Sequence, residues 1–184
     1  CRPFDRRRTG CVAGEGAAVL VLEELESAIR RHAPIHAEII GYGSLFNGAA
    51  DLFDLGDNTP DRNAMGACML QALHDASLPA GEVAFINADG KGSIKGDLME
   101  AAAYRDIFRD ACADIPVSTS KPLTGHMLSA SGAFAALATV LSVSRGIIPP
   151  TINHETPDEG CPLLLLKNAL KKQIKYAISN TFGF

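Results

Sequence analysis

Lys121 and His126 stand five positions apart in the stretch 118–132, Ser-Thr-Ser-Lys-Pro-Leu-Thr-Gly-His-Met-Leu-Ser-Ala-Ser-Gly. An imidazole gives or takes a proton near neutral pH, and an ammonium orients or neutralises a carboxylate beside it. The two lie between a β-prone run, 115–119, and a long apolar segment of helical composition that continues to about Arg145. Strand-to-helix loops carry the chemistry of open α/β sheets, beyond the carboxyl ends of the strands. At this level two readings stand. In one the loop is a site; in the other Pro122 and Gly125 are turn residues and Lys121 is a solvated surface charge.

The surrounding elements repeat a strand, loop and helix order. Residues 82–87 predict a strand, followed by a glycine-rich turn over 88–93 that holds Asp89, Lys91 and Ser93. Asp97 and Glu100 have capping-box spacing and predict a helix to about Asp110. Two such units imply a parallel sheet with crossover helices. Three loops then converge at one sheet edge: that of Asp89, that of Lys121 and His126, and residues 180–184.

Elsewhere, the apolar run 17–22 predicts a strand buried on both faces, 23–31 a short helix, and 35–45 renewed β character with glycines that allow a bend. Met65, Cys68, Met69, Ala72 and Leu73 recur at helical steps over 62–76, with His74 a favourable charge near the C-terminal end. Pro149 and Pro150 are expected to end the last long helix, and 163–166 and 174–180 are strand candidates. Residues 48–60, rich in Asp, Asn and Gly, read as a linker or surface loop.

Composition excludes several functions. Hydrophobic residues make up 47% and charged residues 21% of the 184-residue chain, as in ordinary globular proteins able to bury a core. A net charge of −4 without a long basic block argues against nucleic acid, and the cluster Arg6-Arg7-Arg8 reads as a solvated loop or a rim that steers an acidic partner. Five cysteines without CxxC spacing and without a signal peptide point to a reducing, cytoplasmic compartment. Ser142, Ser144 and Arg145 interrupt the best candidate for a membrane span. His32 and His36 have ligand spacing, but Pro34 breaks the helix between them, so no metal site is expected.

Five motifs in order carry a resemblance: Arg2-Pro3-Phe4-Asp5 with Gly14-Glu15-Gly16-Ala17; the 118–132 loop; Pro149-Pro150-Thr151-Ile152-Asn153; Pro157-Asp158-Glu159-Gly160-Cys161; and Asn180-Thr181-Phe182-Gly183-Phe184. Together they resemble the C-terminal part of the β-ketoacyl-acyl-carrier-protein synthases, the condensing branch of the thiolase fold. The resemblance spans nearly the whole chain and is weakest over 46–61. It implies a thiolase-like layered α/β fold, with 1–46 the end of an N-terminal half, 47–61 a linker or surface loop, and 62–184 the C-terminal half.

In that family a cysteine thiolate takes an acyl chain from a phosphopantetheine thioester. Two histidines then assist decarboxylation of a malonyl extender, whose carbanion attacks the acyl-enzyme. The resemblance makes His126 the second histidine, Lys121 the orienting lysine, and Phe184 the gate of the acyl pocket, with Gly183 supplying backbone freedom. It implies no covalently bound cofactor, only the phosphopantetheine of an acyl carrier protein.

The departures are equally specific. Where the family has Asn-Ala-His-Gly, this chain has Asn87-Ala88-Asp89-Gly90. A carboxylate accepts hydrogen bonds and has no proton for an enolate. Lys91 and Ser93 replace two threonines that hold the pantetheine arm, and Ala135 replaces a glutamate that pairs with the lysine. A new pair between Asp89 and Lys121 would compensate. None of Cys1, Cys11, Cys68, Cys112 and Cys161 has a nucleophile setting, and the family places that cysteine in a preceding half. Cys1 in place of an initiator Met agrees with an absent front portion.

These departures resemble chain-length-factor subunits, non-condensing relatives that shape the acyl tunnel of an active ketosynthase. The leading expectation is such a partner in fatty-acid or polyketide assembly, as a heterodimer visited by an acyl carrier protein. The alternatives are an active β-ketoacyl synthase, self-paired as a homodimer, and a non-catalytic scaffold.

Overall fold

The computed structural model describes residues 1–46 and 62–183. The linker expected over 47–61 and the gate residue Phe184 lie outside the described residues. The order begins with α1 (Leu25–Arg30), α2 (Arg62–Asp75), β1 (Phe85–Asn87), α3 (Ile94–Phe108) and β2 (Pro116–Ser118). It continues with α4 (Lys121–Thr124), α5 (Ser131–Arg145), β3 (Ile147–Ile148), β4 (Leu164–Leu165), β5 (Leu170–Lys171) and β6 (Ala177–Ser179).

β1 and β2 occupy the middle of a parallel sheet of order β4-β2-β1-β6, with Ile86 opposite both Val117 and Ile178. The two-residue period of the strands separates two layers. Ile86 and Val117 meet Met65, Met69, Ala101, Tyr104 and Phe108 of α2 and α3. Phe85 faces the other way, into a smaller cluster with Ile148, Ile174 and Val143 of α5. Asn87, also on that side, donates to the Ala135 carbonyl and the Thr139 hydroxyl of α5, each at 2.8 Å. β1 is therefore packed between α2 and α3 on one face and α5 on the other.

Four expectations from sequence are corrected. The run 17–22 forms no strand: Val19 is 83% and Val21 90% exposed. A strand needs a neighbour's ladder, and no described residue supplies one there. Residues 35–45 form no strand either, and Gly41 and Gly43 mark close approach rather than a bend. A Cβ on Gly43 would lie 2.0 Å from the Cys68 carbonyl oxygen of α2. The tight passage is fastened by Tyr42 N–H to Asp75 at 2.9 Å and Ser44 N–H to Gln71 at 3.1 Å.

The helix after β1 begins at Ile94, not at Asp97. Ser93 caps it, its hydroxyl accepting from Gly96 N–H at 3.0 Å. Finally, α5 ends at Gly146 in the left-handed conformation, ahead of the prolines, and β3 intervenes.

Leu128–Arg145 is long and apolar enough to cross a membrane by length and composition alone, despite its serines. Here its helix lies beside β6 and β3 and holds Asn87.

Residues 2–8 are sewn into the sheet domain. Phe4 joins the main core and Phe4 N–H donates to Asp97 at 2.7 Å. The Arg8 guanidinium, 3% exposed, donates to the carbonyls of Asp5, Ser93 and Ile94 and to Asp158 at 2.5 Å. Arg8→Met should lower unfolding free energy by about 3 kcal/mol, because partnered carboxylates and carbonyls are left buried. Arg8→Lys should recover only part, since a point charge cannot replace the fork. Denaturant titration of the full-length protein carrying these variants checks both.

Candidate active site

The loops after β1, β2 and β6 leave the sheet at its carboxyl edge and meet there, as parallel strands require. Asp89 lies in the first, Lys121 opens α4 in the second, and Asn180 to Gly183 form the third. Lys121 Nζ stands 2.7 Å from Asp89 Oδ1 and also donates to the Asp89 carbonyl. Asp89 is 3% and Lys121 5% exposed, so the expected pair exists and is dry. Lys91 Nζ approaches the other carboxylate oxygen at 3.7 Å and donates to the Gly183 carbonyl at 2.8 Å. One carboxylate thus faces two ammonium groups, and Lys91 ties the third loop to the first.

His126 is buried beside them, 4% exposed. Its backbone is held by residues 12–14: His126 N–H donates to the Val12 carbonyl at 2.8 Å and Gly14 N–H to the His126 carbonyl at 3.0 Å. Gly125 makes that approach possible. Its φ is +74°, and a Cβ would lie 2.9 Å from the Cα of Gly14.

The Leu128 N–H reaches His126 Nδ1 at 3.0 Å, with Leu128 at φ +51°. A peptide N–H only donates, so Nδ1 is the acceptor and the neutral ring carries its proton on Nε2. Burial first, and then the positive Lys121 and Lys91, push the His126 pKa down, while Asp89 opposes them. The ring is therefore a neutral Nε2–H donor at neutral pH.

Sequence reasoning missed a buried relay behind Asp89. Glu100 accepts from the N–H groups of Asp89 and Gly90 at 2.8 and 2.9 Å and from Tyr104 Oη at 2.5 Å. Asn180 donates to Tyr104 Oη at 3.0 Å, joining the third loop to the first through α3. The neighbouring Asp97 accepts from Phe4 N–H and Gly92 N–H. The capping-box spacing of Asp97 and Glu100 was the visible signal. Their carboxylates hold the site loop instead of the helix end. Burial pushes Asp97 up to about 6, and burial with the negative Asp89 pushes Glu100 up to about 7.

A small cleft lies beside Lys121, lined by Ala88, Thr119, Met127, Ser131, Phe134 and Ala135 among others. The Ser93 hydroxyl is occupied at the α3 cap. Burial raises the pKa of Cys68, Cys112 and Cys161, the last to about 12, so none is a ready thiolate. Among the described residues no group of three or more His, Cys, Asp or Glu side chains is placed to hold a metal ion.

Residues 36–155 match the family model described as beta-ketoacyl synthase, C-terminal domain. The chain belongs to the β-ketoacyl synthase family. It is 42% identical to 3-oxoacyl-[acyl-carrier-protein] synthase 2 of Coxiella burnetii over 184 residues, covering all of this chain and 44% of that one. The Staphylococcus aureus enzyme of the same name is 40% identical, with 45% of it covered.

The chain thus spans less than half the length of these ketosynthase relatives. A β-ketoacyl synthase from Burkholderia phymatum superposes with a TM-score of 0.91 at 39% identity, covering all of this chain and 43% of that one. A structure described as the ishigamide ketosynthase/chain length factor gives 0.89 at 39% identity, covering 97% of this chain and 43% of that one. These neighbours establish the thiolase-like α/β fold.

Asp89→Ala strands a buried ammonium, and should cost about 3–5 kcal/mol in unfolding free energy. Lys121→Met on that background should return most of the loss, and a double-mutant cycle by chemical denaturation measures the coupling. Stability should also depend on pH through Glu100. Its folded pKa of about 7 exceeds the ordinary 4.5, so the folded state holds a proton that the unfolded chain has released. Its contribution therefore falls as pH rises from about 4.5 to about 7, and Asp97 adds the same slope at lower pH. Glu100→Gln should flatten unfolding free energy against pH in that window.

Proposed function

We propose that this chain is part of a chain-length-factor-like subunit that shapes the acyl tunnel of an active ketosynthase partner. Asp89 carries the reading. The residue after Asn87-Ala88, where the family has a histidine, is a carboxylate held by Lys121 and approached by Lys91. Such a group accepts hydrogen bonds from its lysines and offers no proton to a developing enolate. With only one neutral imidazole donor, at His126, half of the family's donor set is replaced. Lys91, fastened to Gly183, fills the place expected of a pantetheine-binding threonine.

In this proposal the phosphopantetheine arm of an acyl carrier protein brings the growing chain to the complex. The solved neighbours include a type II polyketide acyl-carrier protein in complex with its ketosynthase bound to a hexaketide, with a TM-score of 0.89 at 34% identity. The catalytic thiolate belongs to the partner, the site works in the cytoplasm, and residues 1–46 are the end of an N-terminal half, joined through a linker or surface loop at 47–61 to the C-terminal half, 62–184.

A second reading, an active β-ketoacyl synthase, is favoured by the retained Lys121 and the Nε2–H form of His126. The full-length polypeptide carrying this chain, assayed with acyl- and malonyl-carrier thioesters, separates the two. Alone it should condense at least about 100-fold more slowly than the pair with its companion ketosynthase, the scale of a lost oxyanion donor. Asp89→His should not rescue it. Condensation alone at the rate of the pair sinks the tunnel-shaping role. Failure of an acyl carrier to crosslink to the complex points to a scaffold.

A further inference from the structure

The fold brings Cys1 and Cys11 together. The Cys1 sulfur accepts the Val12 N–H at 3.1 Å. In a planar trans peptide the N–H lies on the same side as the preceding Cα, so this sulfur stands about 4 Å from the Cys11 Cα. Adding the reach of a cysteine side chain, the two Cα atoms are at most about 7 Å apart, a span that a disulfide can bridge. Cys11 is exposed and Cys1 half-buried, whereas Cys112 and Cys161 are buried. The Cys1 carbonyl accepts from the Asn153 amide at 3.3 Å, and Phe4, three positions on, is fully buried, so this end of the pair is held in place.

Cys11 also belongs to a segment that touches two loops of the site. Gly10 N–H donates to the Gly92 carbonyl at 2.8 Å, in the loop of Asp89, and the Val12 carbonyl accepts from His126 N–H at 2.8 Å. The passage beside the first loop is tight. Gly10 has a φ of +126°, and a Cβ on Gly92 would lie 2.8 Å from the Gly10 carbonyl oxygen. A covalent bond at Cys11 therefore acts on both loops at once.

We propose that Cys1 and Cys11 form a regulatory disulfide, made by a peroxide and opened by a dithiol, that clamps residues 10–14 against the Gly92 and His126 loops. The exposed Cys11 thiolate attacks a peroxide oxygen; the O–O bond breaks, giving a sulfenic acid and hydroxide. The Cys1 thiolate then attacks the Cys11 sulfur, and the S–S bond forms as the S–O bond breaks and hydroxide leaves. The two thiol protons neutralise the two hydroxides, so two thiols and one hydrogen peroxide give one disulfide and two waters. In a reducing compartment such a bond is a transient response to oxidant and not a fixed staple.

The test treats the full-length polypeptide carrying this chain with hydrogen peroxide, blocks free thiols, and maps peptides by mass. Cys1 should be found joined to Cys11, and dithiothreitol should return both thiols. Cys1→Ser should abolish the linked peptide and leave Cys11 as a sulfenic acid that dimedone traps. Hydrogen exchange at the Gly10 and His126 amides should slow about 10-fold on oxidation of the wild type, and not in Cys11→Ser treated alike. The reduced wild type is the reference for exchange, so the result does not depend on how the variants fold. Absence of the linked peptide once peroxide has consumed the Cys11 thiol overturns the proposal. A linked peptide with unchanged exchange at both amides overturns the clamp.

Discussion

A dry ammonium–carboxylate contact, Lys121 to Asp89, is the constraint on which the sheet edge depends. Desolvating two charges costs several kcal/mol each, and attraction repays this only when geometry is good and further donors and acceptors are met. Both conditions hold: the contact is 2.7 Å, Lys121 also reaches the Asp89 carbonyl, and Lys91 approaches the second oxygen. Because the partners lie on loops after β1 and β2, the contact sets the distance between those loops. Lys91 extends the same arrangement to the loop after β6.

The remaining polar groups follow from that choice. Asp89, fixed by its cations, turns its N–H and that of Gly90 toward α3, where Glu100 receives them. Glu100 in turn needs a third donor, supplied by Tyr104, whose oxygen is met by Asn180. His126 lies beyond Lys121 and experiences its charge, which together with burial keeps the ring neutral. A carboxylate thus stands at one corner of the site and a neutral imidazole donor at another.

Much of this was legible in the chain. The helical recurrence of Met65, Met69 and Leu73 located α2, and the apolar run before Arg145 located α5, because a buried helical face leaves a 3.6-residue signature. The Lys121–Asp89 contact was foreseeable because a buried ammonium demands a counter-charge. Residues 17–22 misled for a related reason: apolarity reports that a segment is to be covered, not by what, and Val19 and Val21 stand exposed here. Capping-box spacing at Asp97 and Glu100 was also misread, since the pattern records two carboxylates one turn apart and not which amides they receive.

The sequence by itself determined the family, the order of strands and helices around the 118–132 loop, and the placing of a carboxylate, Asp89, in the loop after β1, since these depend on residue type and local spacing. Only the tertiary structure decided that Ser131 meets His126, that Tyr104 bridges Glu100 and Asn180, and that Lys91 holds Gly183. Those contacts join residues up to 92 positions apart. Hydrogen bonds are directional and short-ranged, so their partners are chosen by how the loops meet at the sheet edge, which no local pattern records.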